Sequence, residues 1–216
     1  MTPQQHEGKQ LAKRGVCNNL FRMSISVCIP YYSGAGHTAR LAENIATGIS
    51  DGCSRLIDVT KITDTDWDAL DAADAILFGA PTYMGSTAAE FGAFLEEAAS
   101  RWETQDWQDK LAGGFTVGTY GSGDKLSSLT RMAIYAAQMG MIWVGQTEIG
   151  APVDMSNPGI NRDGGWLGLI ATSSRNKSIL IDAHDKETAR RFGARFEKVT
   201  LRWAGLPHAE KVTCSP

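Results

Sequence analysis

A chain of 216 residues, 43% hydrophobic and 21% charged, is long enough to bury one substantial core and has the make-up of an ordinary globular domain. Its formal charge of -3 excludes the basic footprint of a nucleic-acid-binding protein, and it lacks the roughly 18 to 20 consecutive apolar residues that a membrane-spanning helix needs. The four cysteines (Cys17, Cys28, Cys53 and Cys214) stand far apart, with no C-x-x-C pair and no histidine at zinc-ligand spacing, so they read as free thiols of a reducing compartment, with the cytoplasm as the expected location.

Residues 1–23 are polar and charged and lack the apolar run of a secretory signal; they are expected to be a disordered extension, with Met23 as an alternative initiator. Residues 24–32 form a short apolar run rich in Val, Ile and Tyr that ends in a glycine-containing turn, which predicts strand one. Residues 38–49 place Ala39, Leu41, Ala42, Ile45 and Ile49 at helical spacing, with Asp51-Gly52 as the stop. A second short strand is expected at 55–59 and an acidic helical connector around Trp67 to Leu70. Residues 75–80 read as a buried third strand cut off by Pro81, followed by a helix over 88–99 with Phe91, Phe94 and Leu95 on one face. Strand four is expected at 114–120, a helix at 126–139, and strand five at 141–144. A Gly-, Pro- and Asn-rich stretch then runs to about Gly168, and a last helix over 186–203 closes the domain, with Ala189, Phe192, Phe196, Val199 and Trp203 nearly on one side.

Strands alternating with helices at this spacing imply parallel βαβ units and a three-layer, doubly wound α/β fold. Five strands suggest a five-stranded parallel sheet in the order 2-1-3-4-5, occupying residues 24–204, with 205–216 as a tail. In that order a ligand crevice opens beyond the C-terminal ends of strands one and three, where the winding reverses.

Three loops follow those strand ends. The first, Ser33-Gly34-Ala35-Gly36-His37-Thr38, opens a helix whose unpaired N–H groups and positive dipole end favour an anion, and its hydroxyls and glycines suit a phosphate. No Lys follows the glycines, so a terminal monophosphate suits the loop better than a triphosphate. The second, Pro81-Thr82-Tyr83-Met84-Gly85-Ser86, is a rigid bend whose backbone groups can meet a flat heteroaromatic edge, with Tyr83 and Met84 against a ring. The third, Thr119-Tyr120-Gly121-Ser122-Gly123-Asp124, repeats the arrangement after strand four. A phosphoacceptor module of the same topology needs carboxylates after strand one and strand three, where this chain has Tyr32-Ser33 and Gly79-Ala80-Pro81.

The succession Y-S-G-A-G-H-T, G-A-P-T-Y-M-G-S and G-T-Y-G-S-G resembles the flavodoxin-like NAD(P)H:quinone oxidoreductases of the WrbA type, over roughly residues 25–203. Trp102 with the following Lys110-Leu111-Ala112, and the D-G-G-W-L-G run from Asp163 to Gly168, belong to the same resemblance. It implies a flavodoxin-like fold and noncovalent FMN, with Ser33, Ala35, Gly36, His37 and Thr38 on the phosphate, and Pro81, Thr82, Tyr83, Met84, Gly85, Thr119, Tyr120, Gly121, Ser122 and Gly123 flanking the isoalloxazine. It further implies NADH or NADPH as donor, a quinone or similar flat acceptor, a homodimer or homotetramer, and a substrate pocket that includes Trp102, Met139 and Trp166. Chemistry is left to the flavin, and no protein group is assigned as catalytic. By the resemblance, Met139 stands where the family commonly has His, and Leu167 replaces a Tyr; a thioether cannot donate a proton to a quinone oxygen, which leaves the acceptor open. The alternative is a flavodoxin-type electron carrier, although such carriers are generally more acidic than -3 on this length.

Overall fold

In the computed structural model residues 24–207 are described; the expected extension over 1–23 and all but the start of the expected tail lie outside them. The elements in chain order are β1 (Val27–Tyr31), α1 (His37–Ala46), β2 (Ser54–Asp58), α2 (Asp64–Ala72), β3 (Ala75–Tyr83), β4 (Ser86–Thr87), α3 (Ala89–Glu97), α4 (Ser100–Thr104), β5 (Leu111–Gly118), α5 (Lys125–Gln138), β6 (Ile142–Trp143), β7 (Leu169–Thr172) and α6 (Ala183–Trp203). The strands that carry the sheet centre, β1, β3 and β5, are apolar on both faces, as parallel strands covered by helices on two sides must be.

The sheet runs β2-β1-β3-β5, and both β6 and β7 pair with β5 in parallel. β6 takes the first two residues of β5 and β7 takes Phe115 to Gly118, so the fifth position of the expected 2-1-3-4-5 order is filled by two pieces. Residues 144–168 leave the sheet between them. The expected strand over 141–144 is therefore only its first half. The second half, Leu-Ile-Ala-Thr, is too short to show periodicity and sits next to a glycine-rich stretch.

Each face of the sheet carries its own core. Leu41 and Ile45 of α1 and Phe192 and Phe196 of α6 pack on one side. Phe91 and Phe94 of α3, Met132 of α5, and Trp107 between α4 and β5 fill the other. α1 and α6 approach so closely that a Cβ on Gly193 would collide with the Ile45 carbonyl and one on Gly48 with the Arg190 carbonyl.

β3 does not stop at Pro81, as expected, but continues to Tyr83. Pairing with β1 ends at Gly79, whose carbonyl accepts the Tyr32 N–H at 3.0 Å. Two residues further along, the main-chain groups of Pro81 point to the same side, past the end of β1, where no donor is required.

Candidate functional site

The three loops converge at the C-terminal ends of β1, β3 and β5. Loop one enters α1 through Gly36, which is left-handed (φ 87). The Ser33 hydroxyl accepts the Ala39 N–H at 3.1 Å, and the Gly36 carbonyl accepts that of Arg40 at 3.0 Å. Among the described residues the N–H groups of Gly34, Ala35, Gly36, His37 and Thr38 find no protein acceptor. His37 Nε2 is buried without a partner, and the Thr38 side chain is buried beside it with no hydrogen bond from its hydroxyl among the described residues. A helix start with this many unmet donors is a cradle for a phosphate, and the residues present fit one.

Loop two is a hairpin rather than a strand-to-helix bend. Thr82 and Tyr83 pair antiparallel with Thr87 and Ser86, and the two turn residues, Met84 (φ 48) and Gly85 (φ 79), both have positive φ. Glycine suits that conformation and methionine does not, so the tip carries backbone strain and holds the Met84 side chain wholly in solvent. Tyr83 folds back over loop one: a Cβ on Gly34 would lie 2.9 Å from its hydroxyl and 3.3 Å from that of Tyr32. Tyr32 donates to Glu90 Oε1 at 3.0 Å, and that bond to a carboxylate raises the phenol's pKa.

Loop two is fastened from below by hydroxyls that sequence reading did not single out. Thr82 Oγ1 lies 2.8 Å from both Thr116 Oγ1 and Ser128 Oγ. Ser127 donates to the Gly85 carbonyl, and Arg131 donates to Thr87 Oγ1 at 2.6 Å. The first turns of α5 thus hold loop two from the side of loop three. Two serines at a helix start were the visible signal, but their partners lie more than 40 residues away.

Loop three leaves β5 at Gly118 with Tyr120 largely exposed, and it ends in two left-handed residues, Gly123 (φ 51) and Asp124 (φ 53). Directly after it comes Lys125, 1% exposed, whose ammonium donates to Asp163 Oδ2 at 2.7 Å, the Ala171 carbonyl at 3.0 Å and Thr172 Oγ1 at 3.0 Å. The ion pair joins loop three to residues 144–168 and to the end of β7. Arg162 extends it, pairing with Asp182 and with Asp185 Oδ2 at 2.9 Å, while Asp185 also accepts the Thr172 N–H at 3.0 Å. Burial pushes the Asp185 carboxyl up, whereas at Asp182 backbone donors and Arg162 outweigh desolvation and hold it down. The signal for Lys125 was its place on the same helical face as Leu129, Met132 and Ala136.

Trp166 belongs to this region. With Gly121 and Ser122 of loop three and the outer face of α5, it lines a cleft of about 1430 Å³. Trp102 and Met139 do not join it. Trp102 is exposed on α4, which Arg101 pins by its ion pair to Asp71 (2.6 Å) and by lying over the Trp67 ring (4.3 Å). Met139 is a buried core residue at the end of α5, beside Gly140, whose carbonyl accepts the Asp109 N–H. Met139 closes α5 at the end opposite loop three, and Trp102 lies on α4, which precedes β5 in the chain. Within a single chain neither residue lines this cleft. Trp107 is fully buried and Trp67 stacks on Phe94 at 5.3 Å, as core anchors do; His184 is exposed.

A doubly wound sheet with an anion cradle after its first strand, flanked by two further loops, defines a flavodoxin-type domain. The family model for the flavodoxin domain matches residues 28–134. The chain is 37% identical over 179 residues to "Flavodoxin FldP" of Pseudomonas aeruginosa, covering 82% of this chain and 97% of that one, and it belongs to the flavodoxin family. It is also 34% identical over 143 residues to "Quinone-oxidoreductase QR2" of Triphysaria versicolor, covering 56% of this chain and 69% of that one. Among solved structures it resembles a flavodoxin, WrbA-like protein from Agrobacterium tumefaciens, with 34% identity, a TM-score of 0.66, and coverage of 83% of this chain and 99% of that one. Among the described residues no helix is long and apolar enough to cross a membrane, and no cluster could hold a metal ion.

Proposed function

We propose that the protein binds FMN and works as an NAD(P)H:quinone oxidoreductase, accepting a hydride from NADH or NADPH and passing two electrons to a quinone or similar flat acceptor. Membership of the flavodoxin family supports FMN. Relatives named as quinone oxidoreductase and NAD(P)H dehydrogenase (quinone) support the reaction, the latter from Geobacter metallireducens at 28% identity over 145 residues. FMN supplies the hydride chemistry when bound. The chain's own part is to hold and shield it. The free amides of residues 34–38, the Ser33 and Thr38 hydroxyls and His37 take the phosphate, while residues 81–85 and 119–123 flank the ring system.

The observation that carries the enzyme reading over the carrier reading is the concave, partly apolar cleft beside loop three, walled by Trp166. A carrier needs an open flavin edge for a protein partner, whereas a small-molecule reductase needs a concave, partly apolar site. The FldP similarity over nearly the whole domain favours the carrier as the second reading. One pocket serving donor and acceptor in turn gives ping-pong kinetics, and an exposed Trp102 outside its own chain's cleft is free to meet the pocket of a second copy in the oligomer that the resemblance implies.

The test is anaerobic addition of NADPH to the FMN-loaded protein, followed by a quinone. Bleaching of the flavin by NADPH and its recovery with quinone supports the enzyme. A flavin that NADPH leaves oxidised, while a reductase protein reduces it, overturns the enzyme in favour of the carrier. Failure to bind FMN overturns both.

A further inference from the structure

The cleft beside loop three is larger than a flat acceptor requires. Its volume of about 1430 Å³ exceeds the range of roughly 300–1,000 Å³ usual for small-molecule sites. Gly121 and Ser122 are among its lining residues, so it borders the candidate flavin site at loop three, and it runs from there along the outer face of α5. Leu126 is 64% exposed, Ile134 58% and Trp166 55%, three large apolar side chains facing one concavity.

Of the charged groups bordering it, Glu96 and Asp124 carry no ion pair among the described residues, while the others are engaged within the protein. Asp163 is taken by Lys125, Arg162 by Asp182 and Asp185, and Arg131 by Thr87. What remains for recognition is mainly apolar surface. Along α5 the lining extends from Leu126 to Gln138, roughly 18 Å at the helical rise. That is the length of a short isoprenoid or alkyl chain, not of a ring.

We propose that this cleft takes an apolar tail carried by the electron acceptor, so that the preferred substrates are quinones bearing a prenyl or alkyl chain. The head reaches the flavin at loop three and the tail lies along α5 between Trp166 and Ile134. This rests on the quinone-reductase reading above, and the test separates the two.

The FMN-loaded full chain is assayed with NADPH and one benzoquinone ring carrying no, one or two prenyl units. In parallel, a prenyl alcohol without any ring is titrated into the protein, with quenching of tryptophan fluorescence as the readout and Trp166→Phe identifying the reporter. The expected result is a rise in kcat/KM of at least about tenfold per prenyl unit, because its five carbons add to binding even when an open groove buries each only in part. Leu126→Glu and Ile134→Glu, both on exposed helix positions that tolerate glutamate, should flatten that rise and leave the bare ring within twofold of wild type. Saturable quenching that Trp166→Phe removes supports the cleft independently of turnover.

A flat tail series with no quenching overturns the inference and leaves the quinone reading intact, provided the bare ring is reduced. Reduction of no quinone at all overturns the functional reading instead, and the alcohol titration then judges the cleft alone. A dimer on gel filtration that Ile134→Glu dissociates means that a second copy covers this face, which also overturns the tail site.

Discussion

Replacing Lys125 by methionine keeps the length of the side chain and its packing against Gly118, but it removes the ammonium that holds Asp163, the Ala171 carbonyl and Thr172 Oγ1. Losing one partner of a buried ion pair costs about 3–5 kcal/mol, because the other charge stays behind unpaired. Here the carboxylate left behind is 13% exposed, still accepts from the Thr172 hydroxyl at 2.6 Å and keeps Arg162 Nε at 4.0 Å, so the lower end, about 3 kcal/mol, applies. For a domain of this size that is a fall in Tm of roughly 6–12 °C. The assay is urea unfolding of Lys125→Met, Asp163→Asn and the double variant. The double should be less destabilised than the sum of the singles by about 2 kcal/mol, since the second substitution removes a charge already orphaned by the first. FMN retention should fall in both singles, because the pair anchors the start of α5 directly behind loop three. Lys125→Met unfolding within about 0.5 kcal/mol of wild type, or a coupling indistinguishable from zero, refutes the assignment of this ion pair as the brace.

Gly34→Ala brings a methyl against the Tyr83 hydroxyl, at 2.9 Å, and should weaken FMN binding about tenfold, equivalent to ~1.4 kcal/mol, while barely changing unfolding; a flavin fluorescence titration checks it, and unaltered affinity rejects the placement of Tyr83 over the loop. Tyr135→Phe deletes a buried hydroxyl that has no partner and keeps the edge-on contact with Phe78 at 5.7 Å, so stability should rise by about 1 kcal/mol, and a fall of that size in a thermal melt contradicts it. Glu187 is held down from 4.5 to about 2, first by its hydrogen bond to Arg190 and then by Arg191. A depressed carboxylate stabilises the fold above pH 4.5, and that contribution is lost as pH falls toward 2. With 37% of the side chain exposed the effect is discounted to less than ~1 kcal/mol; Glu187→Gln should lower stability by that amount at neutral pH and leave it unchanged near pH 2, which flattens the acid limb of a stability-against-pH curve.

The three loops were legible because each is a short contiguous run whose residue types, glycines, hydroxyls and aromatics, announce themselves at the end of a buried strand. The strand order was legible for a related reason: apolar runs of this spacing admit few connections. Less visible were the pairings between distant positions. Lys125 and Asp163 are 38 residues apart, and Thr82 and Ser128 46 apart, so no local pattern marks them as partners. β7 escaped because four residues carry no period, and the hairpin at Met84 because its turn needs positive φ at a residue type that normally avoids it. Trp102 and Met139 came from the resemblance alone, and within a single chain the fold keeps both out of the cleft. The expected extension over 1–23 and all but the start of the expected tail fall outside the described residues.

The split fifth strand explains why the cleft exists where it does. β6 supplies β5 with only two paired residues before the chain leaves the sheet, so the C-terminal half of β5 must wait for β7 to find its partner. The intervening residues 144–168 are therefore tethered at both ends to one sheet edge, beside α5, and their last stretch, with Asp163 and Trp166, is brought to loop three. Trp143 Nε1 donates to the Leu167 carbonyl at 2.7 Å and Gln146 N–H to that of Trp166 at 3.0 Å, which closes the excursion on itself. With the strand broken, the edge becomes a wall, and the buried Lys125–Asp163 pair ties that wall to the loop on which a flavin ring would rest. The same interruption that hid half a strand from sequence reading thus builds one wall of the cleft beside loop three.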